Sequence, residues 1–296
     1  MSFVKFFGIA ALLFSPVVPA QQLTPRPIHL ANGRSLTLHL PANFNIDIAA
    51  QGLRCVRFMA QSPDHRIFVA DMYDRADNIR GKIYILDDWD APTHRFGKIT
   101  PYLEHLRNPN NLAFYTEPAQ AGRPAQSWLY LPLTDKLLRY KYNAGDNAPT
   151  GAPEVLATYP DYGLNYKYGG WHLTRTIAFA HLHGRTRLYV TVGSSCNACQ
   201  EKEEIRATLS VMDPDGKHQE ILARGLRNAV DIKSVAAIDG GALFATNMGA
   251  DHLGDHDPED TFFELDSNAR PVAPGANYGW PTCYFDHGQP HADAFI

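Results

Sequence analysis

Apolar positions along this chain fall in short runs rather than in long helical stripes. Four runs are alike in make-up: Ile67-Phe68-Val69-Ala70, Trp128-Leu129-Tyr130-Leu131, Leu188-Tyr189-Val190-Thr191 and Ala242-Leu243-Phe244-Ala245. After a polar gap each is followed by a second run: Lys82-Ile83-Tyr84-Ile85-Leu86, Leu137-Leu138-Arg139-Tyr140-Lys141-Tyr142, Leu209-Ser210-Val211-Met212 and Thr261-Phe262-Phe263-Glu264-Leu265. Further runs, such as Asn111-Leu112-Ala113-Phe114 and Thr176-Ile177-Ala178-Phe179, precede them. Short segments rich in aromatic and β-branched residues and bounded by turn residues read as strands. The unit is strand, turn, strand, longer loop, strand, repeated at roughly 55–60 residues, somewhat above the usual blade repeats of about 40–50. A four-stranded sheet cannot bury both of its faces alone, so such units pack radially around an axis. The pattern therefore predicts an all-β chain of β-propeller type with about four blades. A β-sandwich would need the matching positions of aromatic residues to be coincidence. The 21 prolines and 22 glycines leave little room for helix.

The first residues follow a different rule. Lys5, an apolar run over 6–14 and the small-residue pattern Val18-Pro19-Ala20 predict a signal peptide over 1–20, with the propeller domain over 21–296. The run is too short to span a bilayer and no other of membrane length follows. The expected location of the mature chain is therefore periplasmic or secreted, with no membrane span. An oxidising compartment makes Cys196 and Cys199, in Ser195-Cys196-Asn197-Ala198-Cys199, a local disulfide. Gln200 stands where a haem attachment motif needs histidine, and Cys55 and Cys283 do not form the second C-x-x-C of a zinc site. Those two cysteines either pair with each other or stay free. A net charge of -4, with basic residues scattered, points away from nucleic acid as a partner.

Candidate chemistry gathers in the second half. His172 stands in the glycine-flanked stretch Gly169-Gly170-Trp171-His172, just ahead of a strand-like run, and imidazole suits a general base near neutral pH. Arg227-Asn228 offers a planar fork of donors beside an amide, a pairing suited to an anionic, oxygen-rich ligand. Five carboxylates over residues 251–260 invite a hard cation, although the spacing is not that of an EF-hand. Each feature also has a structural reading: a loop histidine, a loop ion pair, a solvated acidic turn.

Taken in order, these blocks resemble the soluble glucose/sorbosone dehydrogenase family, quinoprotein sugar dehydrogenases that use pyrroloquinoline quinone (PQQ). The likeness runs through Gly170-Trp171-His172-Leu173-Thr174-Arg175-Thr176, Tyr189-Val190-Thr191-Val192-Gly193-Ser194-Ser195-Cys196-Asn197-Ala198-Cys199, Gly225-Leu226-Arg227-Asn228 and Asn277-Tyr278-Gly279-Trp280-Pro281, and is closest to the sorbosone-type branch. It implies a six-bladed β-propeller with the quinone across its axis. His172 would be the base, Arg227 and Asn228 would hold cofactor oxygens, and the backbone carbonyls of Gly249 and Ala250 would bind Ca2+. Sugar or a related polyol or aldehyde would be the substrate, and an external acceptor would take the electrons. The chain departs from the family at Ser194, where glucose-type members carry an aspartate that orients the histidine, and at Ala250, usually proline. Members of the family continue for about two further blades, so the likeness implies a C-terminally truncated propeller, either a fragment or a naturally shortened protein. The competing expectations are a calcium-dependent, lactonase-like propeller hydrolase and a non-enzymatic binding propeller.

Overall fold

The computed structural model describes residues 22–161, 164, 172–251 and 253–293. The predicted leader lies outside the described residues, as do Gly169, Gly170, Trp171 and His252. The chain divides into two compact units between Gln51 and Gly52. In the first, β1 (Leu23–His29) and β2 (Ser35–Pro41) form an antiparallel hairpin in continuous register from Leu23 opposite Pro41 to His29 opposite Ser35.

The second unit is all-β among the described residues, with four propeller-like blades. The first blade is the meander β3 (Val56–Gln61), β4 (Ile67–Asp71), β5 (Gly81–Asp90) and β6 (Arg95–Leu106). The second is β7 (Ala113–Glu117), β8 (Gln126–Pro132), β9 (Lys136–Tyr142) and β10 (Glu154–Thr158). The third is β11 (Arg175–Leu182), β12 (Arg185–Val192), β13 (Thr208–Met212) and β14 (Glu220–Arg224). The fourth has three strands: β15 (Ala229–Val235), β16 (Ala242–Asn247) and β17 (Thr261–Ser267). The four recurrent apolar runs are the second strand of each blade and the runs that follow them are the third. In the two inner blades neighbouring blades cover both faces of these middle strands, which therefore read as continuous apolar stretches; all five residues of β13 are buried.

The first strands of successive blades touch one another, as radial packing requires. A chain of side-chain hydrogen bonds follows them. Arg57 Nε donates to Asn110 Oδ1 (3.0 Å), Asn110 Nδ2 to Thr176 Oγ1 (3.1 Å), and Thr176 Oγ1 to the carbonyl of Val230 (2.6 Å), so all four blades are joined. Further out, three apolar clusters fill the three seams. Phe68, Ile83 and Ile85 pack with Leu129, Leu131 and Tyr142; Trp128, Tyr130 and Leu137 with Ile177, Leu188 and Val190; Tyr189, Leu209 and Val211 with Ile232, Leu243 and Leu265.

The segment after β17 turns back along the third blade before it pairs again. Here β18 (Ala276–Asn277) runs parallel to β14 along the outer edge of the third blade, and a hairpin of β19 (Cys283–Asp286) and β20 (Gln289–Ala292) follows. Gly225 makes this possible. It takes a positive φ of 75°, and a methyl group there would sit 2.2 Å from Asn277 Oδ1. The close approach lets Tyr278 N–H donate to the Arg224 carbonyl (2.9 Å) and Trp280 N–H to that of Gly225 (3.3 Å).

Candidate active site

His172 sits just before β11, at φ 52°, in the left-handed region where a non-glycine residue carries strain. Two sets of contacts hold it. Arg175, 1% exposed, donates from Nη1 to the carbonyls of His172 (2.8 Å) and Thr174 (3.0 Å), fixing the backbone. The ring is held by Ser194, at the end of β12: Nδ1 lies 3.0 Å from the Ser194 carbonyl and 2.9 Å from Ser194 Oγ. The serine hydroxyl gives its own proton to the carbonyl of Cys196 (2.6 Å). It can therefore only accept from the ring, so the proton sits on Nδ1 and the Nε2 lone pair is the basic one. Burial, then the positive charge of Arg227, depresses the imidazole pKa to about 4. The ring is thus neutral at pH 7 and able to take a proton.

Gly193 brings His172 and Asn228 side by side. A methyl group on it would lie 2.5 Å from His172 Cβ and 2.7 Å from Asn228 Oδ1, so only glycine permits the approach. The backbone N–H of Ser194 donates to the carbonyl of Arg227 (2.7 Å), tying the residue that holds the base to the residue that carries the guanidinium. Asn228 N–H donates to Asn247 Oδ1 (3.0 Å), and the Asn228 carbonyl accepts from Met248 N–H (3.0 Å).

Arg227 is 1% exposed and Nε and Nη2 are fully engaged. Nε donates to the carbonyl of Asn197 (2.8 Å), and Nη2 to Asn197 Oδ1 (2.7 Å) and the Asp251 carboxylate (2.8 Å). Nη1 is buried with no partner among the described residues. Burial lowers the pKa of the group and Asp251 works against that shift. A buried guanidinium with an unused donor is a standing cost that an acceptor oxygen would relieve.

Beside Arg227 lies a cavity of about 30 Å³, lined also by Asn247, Gly249, Ala250, Glu259, Trp280 and Cys283. The volume suits a water molecule or an ion. Gly249 N–H donates to Asp260 Oδ1 (2.9 Å), and Pro258 packs so closely that a side chain at position 249 would clash. The carboxylates of the 251–260 loop do not converge. Among the described residues the single cluster of potential metal-ligating side chains is Cys196, Cys199 and Glu201. Its two sulfurs are joined in a disulfide (Cα–Cα 6.2 Å), and Glu201 instead accepts from Ser195 N–H and Oγ–H, both at 2.6 Å. Cys55 and Cys283 are free thiols, both half-buried.

The structure thus brings His172, Asn228, Arg227 and the Gly249–Ala250 backbone into one region, with the disulfide loop against it. Sequence reasoning treats Ser194 as a missing orienter, yet it supplies the contact to Nδ1. It also passes over the roles of Asn197 and Arg175, which depend on partners as far as 83 residues away.

No family model matches the chain, and no curated protein matches it. Solved structures do. A PQQ-bound aldose sugar dehydrogenase from Streptomyces coelicolor superimposes with a TM-score of 0.53 at 19% identity, over 82% of this chain and 70% of that one. An oxidoreductase of Thermus thermophilus assigned as a glucose dehydrogenase gives 0.51 at 19% identity, over 78% of this chain and 65% of that one. What is shared is the fold. This chain spans about two thirds of the length of either protein. Among the described residues, no helix is long and apolar enough to cross a membrane.

Proposed function

We propose that the protein is an exported quinoprotein dehydrogenase that oxidises a sugar or a related polyol or aldehyde, with PQQ and Ca2+ as cofactors and an external acceptor for the electrons. The observation that carries this reading is the pairing of a half-buried histidine, basic at Nε2, with the Nη1 donor of a buried arginine, unused among the described residues, one backbone hydrogen bond away. The likeness to the PQQ-bound dehydrogenase supports it, and the predicted leader supports export.

The donor chemistry of the residues present supports this reading. Arg227 Nη1 and the Asn228 amide suit its anionic carboxylate and carbonyl oxygens, and the carbonyls of Gly249 and Ala250 suit a hard cation in the adjoining cavity. When bound, PQQ supplies the hydride acceptor and Ca2+ the Lewis acid that polarises it. The chain supplies the rest. Arg175 and Ser194 fix the backbone and the ring of His172. Nε2 would take the proton of the substrate hydroxyl as hydride leaves the carbon that bears that hydroxyl, and burial keeps the imidazole unprotonated beforehand. The hydrolase alternative needs convergent side-chain carboxylates, and the acidic loop does not provide them among the described residues.

Reconstitution tests this. Purified protein is mixed with PQQ and Ca2+, bound quinone is followed by absorbance, and dye reduction by aldoses is followed separately. We expect binding and turnover, and in His172→Ala retained PQQ binding with turnover about 10²–10⁴-fold lower. Failure of the wild-type protein to bind PQQ would sink the reading.

A further inference from the structure

Asn197 lies inside the four-residue disulfide loop, and three elements converge on it. Its carbonyl accepts from Arg227 Nε (2.8 Å) and from the indole N–H of Trp280 (3.1 Å). Its Oδ1 accepts from Arg227 Nη2 (2.7 Å) and from Asp251 N–H (2.7 Å), and its Nδ2 donates to the Asp251 carbonyl (2.8 Å). One residue therefore grips the guanidinium on two of its three nitrogens and ties it to the loop before Pro258 and to the segment after β18. The loop that presents Asn197 is itself fixed at three points. The Cys196–Cys199 bond closes it, Glu201 holds Ser195 at both N–H and hydroxyl, and Ser194 Oγ–H holds the Cys196 carbonyl. A guanidinium can present Nη1 in a set direction only if its other nitrogens are anchored by something rigid.

We propose that Asn197 is the positioning residue of Arg227, and that the Cys196–Cys199 disulfide holds Asn197 where it can aim the free Nη1 donor at the anionic ligand. The disulfide then belongs to the binding apparatus rather than to general stability. The identity of the ligand as PQQ rests on the preceding reading; the anchoring of Arg227 does not.

The test is a mutant cycle on the full chain: Asn197→Ala, Cys196→Ser with Cys199→Ser, and all three together. Substitution is used in place of chemical reduction because thiol and phosphine reductants also react with quinones. With PQQ as the probe, at fixed Ca2+, each arm is expected to weaken binding about tenfold or more. The triple variant should bind no more than about threefold worse than the weaker arm, because both changes release the same guanidinium. Effects that multiply, or an Asn197→Ala affinity within twofold of wild type, overturn the proposal. A second readout needs no cofactor. In ligand-free protein the Arg227 Nε–H and Trp280 Nε1–H resonances, assigned through Arg227→Lys and Trp280→Phe, should exchange with solvent at least tenfold faster in the double-serine variant. Unchanged exchange of both overturns the clamp. Absence of PQQ binding in the wild type with faster exchange in the variant removes the cofactor assignment and leaves the clamp standing.

Discussion

His172 shows how much a single residue's surroundings decide. A histidine in an unfolded chain titrates near 6.5, and here burial brings the folded value to about 4. The folded state therefore refuses a proton that the unfolded state accepts between these two values. The stability associated with the neutral ring is fully present above about pH 6.5 and is lost as pH falls towards 4, by up to about 3 kcal/mol. Urea midpoints of wild type and His172→Gln should thus converge or cross as pH drops from 7 to 4. The same shift should keep turnover flat down to about pH 5. Ser194→Asp reverses the electrostatics, since a carboxylate at Nδ1 favours the imidazolium. We expect the acid limb of the pH–rate profile to move up by about one unit or more in that variant, and a limb that stays in place would remove Ser194 from the role of orienting the base.

At the scale of elements, turns and close approaches do the positioning. Gly225, at the end of β14, has Asn277, Tyr278 and Gly279 pressed against its Cα. Gly225→Ala combines an unfavourable φ with a methyl group 2.2 Å from Asn277 Oδ1. A loss of roughly 1–3 kcal/mol is expected from the strain alone. Detachment of β18 should also release Trp280 from Asn197, so ligand affinity should fall further than in a surface control of equal stability. Strands and their order were legible in the sequence because the middle strands carry the buried residues of the seams and read as short apolar runs. The path of 276–293 was not. Its pairing with β14 is parallel and only two residues long, and no periodic pattern marks so short a contact. At the site, His172 and Arg227 could be picked out because their chemistry is unusual for a loop. Asn197 and Ser194 could not, because what they do depends on where β12, β15 and the 247–251 loop end in space.

For the whole molecule, the question is what makes four blades one cooperative body. The apolar seams supply bulk, but each touches only two blades. The relay from Arg57 through Asn110 and Thr176 to Val230 is the set of polar contacts that crosses all three seams at the inner strands. Asn110 and Thr176 are both at 1% exposure or less, so the bond between them is made where water cannot replace it. Thr176→Val keeps the shape of the side chain and removes its hydroxyl. It leaves the carbonyl of Val230 and one proton of the Asn110 amide short of a partner, at an expected cost of about 2–4 kcal/mol in chemical denaturation. Asn110→Ala removes the partner on the other side. If the relay works as one connection, the two losses are not additive, and a cycle of both should show a coupling of about 1 kcal/mol or more. Simple additivity would mean that the relay is not one connection, and that each inner hydrogen bond serves only to satisfy groups that burial had already stripped of water.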